Sequence, residues 1–163
     1  MKNLIIIGII GAATIASCSS LQQEQQAQNN RKEFLKLKGK WQIVEINNYN
    51  KNFRVKPFDE GIDSKCFMGS VWTLVPNNWS GSYTLENHEG CPFVSQNIKF
   101  DVKNGNEFIF KKIFSGEKPK QVVSGYSLTL ENQTDDSFTL AQNISYQGEN
   151  IKVAYVFKKI SNK

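Results

Sequence analysis

NIKFDVKNGNEFIFKK (residues 97–112) is read first, because it contains a complete strand, turn and strand. Ile98, Phe100 and Val102 interleave with Lys99 and Asp101, so an extended chain carries its apolar groups on one face and its charges on the other. Asn104-Gly105 interrupts the rhythm with two residues that tolerate positive φ, the requirement of a tight hairpin turn. Phe108 and Phe110 then resume it. The stretch predicts two antiparallel strands, one face buried and the other wet.

The same two-residue rhythm runs outward in both directions. Candidate strands are Lys40 to Asn47, Ser70 to Val75, Ser80 to Glu86, Asn97 to Val102, Glu107 to Lys112, Val122 to Leu130, Ser137 to Ser145 and Ile151 to Lys159. Val122, Tyr126, Leu128 and Leu130 share one face of the sixth; Phe138, Leu140 and Ile144 one face of the seventh; Ile151, Val153, Tyr155 and Phe157 one face of the last. Short turn segments at Asn77-Asn78, Asn104-Gly105, Asn132 to Asp136 and Gln147-Gly148 make sequential strands antiparallel neighbours. The fold expected is all-β, an eight-stranded antiparallel up-and-down meander that protects its edges by closing into a barrel. A two-sheet sandwich is the alternative, though its crossings usually need longer connections.

Gly39-Lys40-Trp41, at the start of the first strand and just after a short helical lead-in at Arg31 to Lys38, resembles the G-x-W motif of lipocalins. Roughly residues 35 to 160 are similar to the lipocalin-like domains of bacterial lipoproteins. The resemblance implies that Gly39 and Trp41 form a plug at one end of a lipocalin-like β-barrel, with a cationic side chain from near the last strand stacked over the indole. Either Lys158 or Lys159 fits that role, and a lysine stacks more weakly than the usual arginine.

The N-terminus reads as a leader. Lys2 is its positive start, and the apolar run Leu4 to Ile15 is too short to span about 30 Å of hydrocarbon as a helix. It ends in Ile15-Ala16-Ser17-Cys18, which resembles the lipobox of bacterial lipoproteins. The domain plan expected is therefore a lipoprotein signal peptide over 1–17, an acylated Cys18 with a flexible polar tether over 18–30, and the barrel over 31–163. Several acyl chains at about 0.8 kcal/mol per buried methylene hold a protein firmly on a membrane. Ser19 in place of aspartate resembles lipoproteins sorted to the outer membrane, so the localisation expected is a lipid-anchored outer-membrane protein, facing the periplasm or the cell surface.

Setting Cys18 aside leaves Cys66 and Cys91, an even pair in an oxidising compartment, for which a disulfide is expected. A turn centred on Asn77-Asn78 pairs residues whose numbers sum to about 155, which brings Cys66 within a short shift of Cys91. His88 lies close by, but a metal site would need a fourth ligand, and neither a C-x-x-C nor a second histidine is present.

Nothing in the motifs points to catalysis. With one histidine on a loop there is little from which to build a nucleophilic triad, and neither G-x-S-x-G nor a glycine-rich phosphate loop occurs. Asp59, Glu60 and Asp63 read as solvated loop carboxylates. No cofactor is implied. The net charge of +5 is spread over strand ends without an arginine-rich stripe, which excludes nucleic acid and suits anionic headgroups beside a tether.

What remains is a binding module. The inward sets hold Tyr83, Phe100, Phe108, Phe110, Tyr126, Phe138, Tyr155 and Phe157, enough rings to fill a small barrel or to line an apolar pocket. The long segment Asn48 to Lys65 corresponds to the lid loop of lipocalin barrels. Its Tyr49, Phe53, Arg54 and Phe58 join Tyr83, Phe100, Tyr126 and Tyr155 as candidate ligand contacts, although Phe53 and Phe58 can equally fold down as a plug. The expected partner is a small hydrophobic or amphipathic molecule, bound by a monomer. The alternative is a filled barrel whose rim loops serve an envelope protein partner or act as an inhibitor.

Overall fold

The structure is a computed structural model and describes residues 17–48, 54–59, 61–88, 90–116 and 125–160. Among the described residues one α-helix, α1 (Ser17–Lys36), precedes eight strands: β1 (Gly39–Asn48), β2 (Val71–Val75), β3 (Ser80–Leu85), β4 (Val94–Lys103), β5 (Glu107–Ile113), β6 (Tyr126–Glu131), β7 (Ser137–Tyr146) and β8 (Glu149–Lys159). Each strand pairs antiparallel with the next, and β8 returns to β1 through pairs from Trp41↔Lys159 to Asn48↔Val153. The sheet is a closed up-and-down barrel, not a sandwich. Closure leaves no free edge, which is why a meander of short links settles on this form.

The turns follow their residues. Gln147 and Gly148, the two residues between the paired Tyr146 and Glu149, have positive φ, 50° and 82°, as a two-residue hairpin turn demands, and so do Asn104 and Gly105, at 53° and 79°, in the three-residue link between the paired Lys103 and Glu107. Val75 pairs with Ser80, a sum of 155, so the register expected around Asn77-Asn78 holds. A bulge between Ile43 and Glu45 turns Val44 out to solvent on the β1 wall.

Two expectations change. Residues 18–30 were expected to form a flexible tether, but the backbone from Ser17 to Lys36 is one continuous 20-residue helix. Gln, Glu and Ala are good helix formers, and no Gly or Pro breaks the run. Phe34 and Leu37, buried against the barrel, supply the anchored turn from which such a helix extends. The sixth strand was expected from Val122; β6 begins at Tyr126, and Val122 lies outside the described residues.

The helix, with the β2–β3, β4–β5 and β6–β7 links, covers one end of the barrel. At this closed end Trp41 is fully buried and its Nε1 donates to the Leu37 carbonyl at 2.8 Å. Lys159, not Lys158, sits over the indole, with Nζ 5.2 Å from the ring centre. Gly39 has φ 141°, a backbone conformation that calls for glycine beside the tryptophan, and a Cβ there would lie 3.3 Å from the flexible Lys159 Cε.

Candidate functional site

The opposite, open end carries the long β1–β2 connection, the β3–β4 and β5–β6 links and the β7–β8 turn. Among the described residues of the first of these, Phe58 reaches into the barrel. Val55 is buried, and its carbonyl accepts from Ser64 N at 2.9 Å, closing the segment between them into a compact loop. At its tip Phe58 adopts φ 57°, ψ 30°, a left-handed conformation that is strained for a residue with a Cβ.

The strain is offset by what the ring touches. Phe58 is 3% exposed and packs against Phe67, Trp72, Phe110, Tyr126 and Tyr155, with ring centres 5.1 to 6.2 Å away. Most of these pairs meet edge to face, the arrangement that sets ring edges against π-faces. Phe58 thus fills the mouth of the barrel.

Cys66 and Cys91 form the expected disulfide, with Cα atoms 5.4 Å apart. Asp63 starts the short turn that carries Cys66 by accepting from Lys65 N at 3.0 Å. His88 and Cys91 exchange backbone hydrogen bonds of 3.2 and 2.8 Å, so both sides of the bridge sit on ordered backbone. The bond consumes both thiols, and among the described residues no cluster of three metal-ligating side chains occurs.

The other candidates divide. Tyr83 lines the wall one layer deeper, stacked on Trp72 at 4.7 Å. Tyr126 packs against Phe58 and takes Lys112 Nζ 5.8 Å from its ring centre. Arg54 is exposed, while Tyr49 and Phe53 lie outside the described residues. Phe100 does not belong to this group: its ring meets Phe34 of α1 at 5.7 Å and Phe108 at 5.4 Å, in the closed-end core. Alternation correctly places Phe100 on the inner face, but it does not give the height along the barrel.

Two polar atoms on the inner wall stand out. The Tyr155 hydroxyl and Gln142 Oε1 are buried and find no hydrogen-bond partner among the described residues. Tyr155 is 1% exposed, and burial pushes its phenol well above the ordinary value, so the group stays protonated and able to donate. Leu140 pairs with Tyr155 and Gln142 with Val153, so successive inward positions of the β7–β8 hairpin carry the two groups. By contrast, Trp72 Nε1 donates to Ser70 Oγ at 3.2 Å.

Gln142, Phe67 and Trp72 were not anticipated as site residues. Gln142 was nonetheless visible as the one polar residue in the inward register of Phe138, Leu140 and Ile144. Trp72 sits in VWTLV, where apolar residues occupy both faces and the period is lost.

Outside the mouth, a groove of about 450 Å³ lies beside Tyr126, lined by Lys111, Lys112, Phe114 and Gly125. The chain matches no protein-family model and no curated protein. Among solved structures it is similar to an odorant-binding protein from bovine nasal mucosa, with a TM-score of 0.44 and 10% identity over 79% of this chain and 74% of that one. A bovine odorant-binding protein complexed with its natural ligand is similar at TM-score 0.44 and 11% identity, with the same coverage. The barrel assignment rests on the strand pairings themselves.

Proposed function

We propose that this chain is an exported lipoprotein, acylated at Cys18 and held on the outer membrane, whose barrel binds a small hydrophobic or amphipathic molecule at its open end. The role is binding rather than catalysis. The observation that carries this reading is the single loop ring, Phe58, that fills a mouth walled by aromatic side chains: a wall built to hold one ring in van der Waals contact can hold another.

Titrating the full chain with a panel of fatty acids, sterols and small aromatic compounds, with tryptophan emission as the readout, tests it. Trp72 lies 6.2 Å from the Phe58 ring, so displacement of that ring changes its surroundings. A saturable change is expected for one class, and a flat response to every class counts against the reading. The anchoring is tested separately. Cys18→Ser should abolish incorporation of labelled fatty acid and release the protein from the membrane fraction.

A second reading follows from a different feature. Met68, Phe93 and Phe114 are 43%, 59% and 58% exposed on the open-end connections, apolar side chains of the kind that meet a protein partner. On that reading Phe58 is a permanent filler, and a specific envelope protein should be captured by the wild type and lost on Phe93→Ser with Phe114→Ser.

A further inference from the structure

Taking the barrel as a binding site, we infer that Phe58 is a built-in stand-in for the ligand, and that the ligand is a neutral ring-sized alcohol or phenol held by the Tyr155 hydroxyl and the Gln142 amide oxygen. Three observations support this. First, among the described rings of this cluster Phe58 alone comes from a loop rather than from a strand or from the disulfide-bonded turn at Ser64–Phe67, so it can leave without breaking the sheet. Secondly, its left-handed backbone is strained where it sits, so withdrawal relieves the strain that packing now offsets.

Thirdly, the inner wall holds one donor and one acceptor that nothing in the described chain satisfies. A ligand hydroxyl accepts from the Tyr155 phenol and donates to Gln142 Oε1, using both at once. A phenylalanine ring fills the space but satisfies neither. An ionised head would have to leave water for an apolar chamber in which no described cation is buried, so a neutral group fits better.

The matched probes are toluene, the free counterpart of the phenylalanine side chain, and p-cresol, which adds one hydroxyl. Each is titrated calorimetrically into the full chain in detergent, against micelle-only blanks. The wild type should bind p-cresol about tenfold more tightly than toluene, since satisfying buried unpaired groups, less the desolvation of the ligand hydroxyl, is worth about that ratio. Phe58→Ala should raise the affinity for both compounds about tenfold, because the competing ring has gone. Phe58→Leu, which keeps most of the volume, should show a smaller gain and guards against loss of fold in the alanine variant. Tyr155→Phe should reduce the preference for p-cresol, since only the bond to Gln142 Oε1 remains, while leaving toluene binding unchanged.

Equal affinity of wild type, Phe58→Ala and Phe58→Leu overturns the stand-in role. Equal binding of toluene and p-cresol to Phe58→Ala overturns the polar assignment but leaves the barrel as a binding site. Failure of both compounds in every folded variant, alongside a saturable response to another compound class in the tryptophan assay, overturns this inference alone. A flat response in both assays sinks the binding reading with it.

Discussion

Tyr155 is the residue whose chemistry is least explained by packing. A buried hydroxyl without a partner is destabilising, so Tyr155→Phe should leave the stability of the unliganded protein unchanged or raise it by up to about 1 kcal/mol. Chemical denaturation measures this, and a loss greater than that would mean the hydroxyl has a stabilising contact. The same burial predicts a pH dependence. The folded state holds the phenolic proton at pH values where the unfolded chain, with an ordinary value near about 10, has lost it. The unfolded state then binds fewer protons than the native one, so stability falls as pH rises. This contribution is intact below pH about 10 and is lost progressively above it. Melting temperature should therefore drop more steeply beyond that point in the wild type than in Tyr155→Phe, and parallel curves would show a solvated phenol. At the other end of the barrel, Trp41→Phe removes the donor to the buried Leu37 carbonyl and leaves a smaller, weaker platform under Lys159, and should destabilise by about 1–3 kcal/mol.

Among the elements, the β1–β2 loop and α1 show where sequence was informative and where it was not. The strands were legible because half-buried extended segments impose a period of two, and β4 and β5 carry it most clearly. The disulfide was legible because Cys66 and Cys91 are the two cysteines left once Cys18 is set aside; both lie outside the β2–β3 ladder that sets the register between them. The tether was not, since its sequence is polar all round and gives no helical periodicity; only contact with the barrel at Phe34 and Leu37 settles its state. Nor was the position of Phe58, because a loop residue has no period, and its inward placement depends on a ring of partners drawn from β2, β5, β6, β8 and the Ser64–Phe67 turn. Two predictions belong at this scale. Replacing both Cys66 and Cys91 by serine should lower stability by about 3 kcal/mol. Hydrogen exchange should then speed up in the turn at Ser64–Phe67 and around His88, while the β1–β8 pairs near Trp41 keep their protection; uniform acceleration would mean that the bridge supports the whole barrel rather than its open end. Deleting residues 20–29, which are exposed throughout, should change barrel stability by no more than about 0.5 kcal/mol, whereas Leu37→Ala should cost about 2–5 kcal/mol.

Across the whole molecule the wall is not uniform. β7 and β8 pair along ten positions, from Ser137↔Lys158 to Tyr146↔Glu149, but β6 and β7 share only Thr129↔Ala141, Leu130↔Leu140 and Glu131↔Thr139. Continued in register, Leu128 would face Gln142 and Ser127 would face Asn143; instead the strands part there, and a cleft of about 240 Å³ opens on the outer wall between Ser127, Leu128, Thr129, Ala141 and Asn143. The seam is pinned below the cleft by Lys152 of β8, which reaches across β7 to Glu131 of β6 at 3.0 and 3.2 Å. Fewer ladder bonds mean a lower free energy of local opening, so the barrel should breathe first along β6. That is also the strand that carries Tyr126 against Phe58, and β7 brings Gln142 to the parting, so opening of the seam loosens the same mouth that the ring closes. Native-state hydrogen exchange should therefore find Ser127 and Leu128 the least protected amides among the strand residues, with β8 the most protected. Lys152→Met should lower the protection of β6 further and leave the β1–β8 pairs unchanged. A ligand that replaces Phe58 and bonds to Gln142 should slow exchange in β6 and β7 together; slowing confined to the β1–β2 loop would mean that the ring moves without the seam.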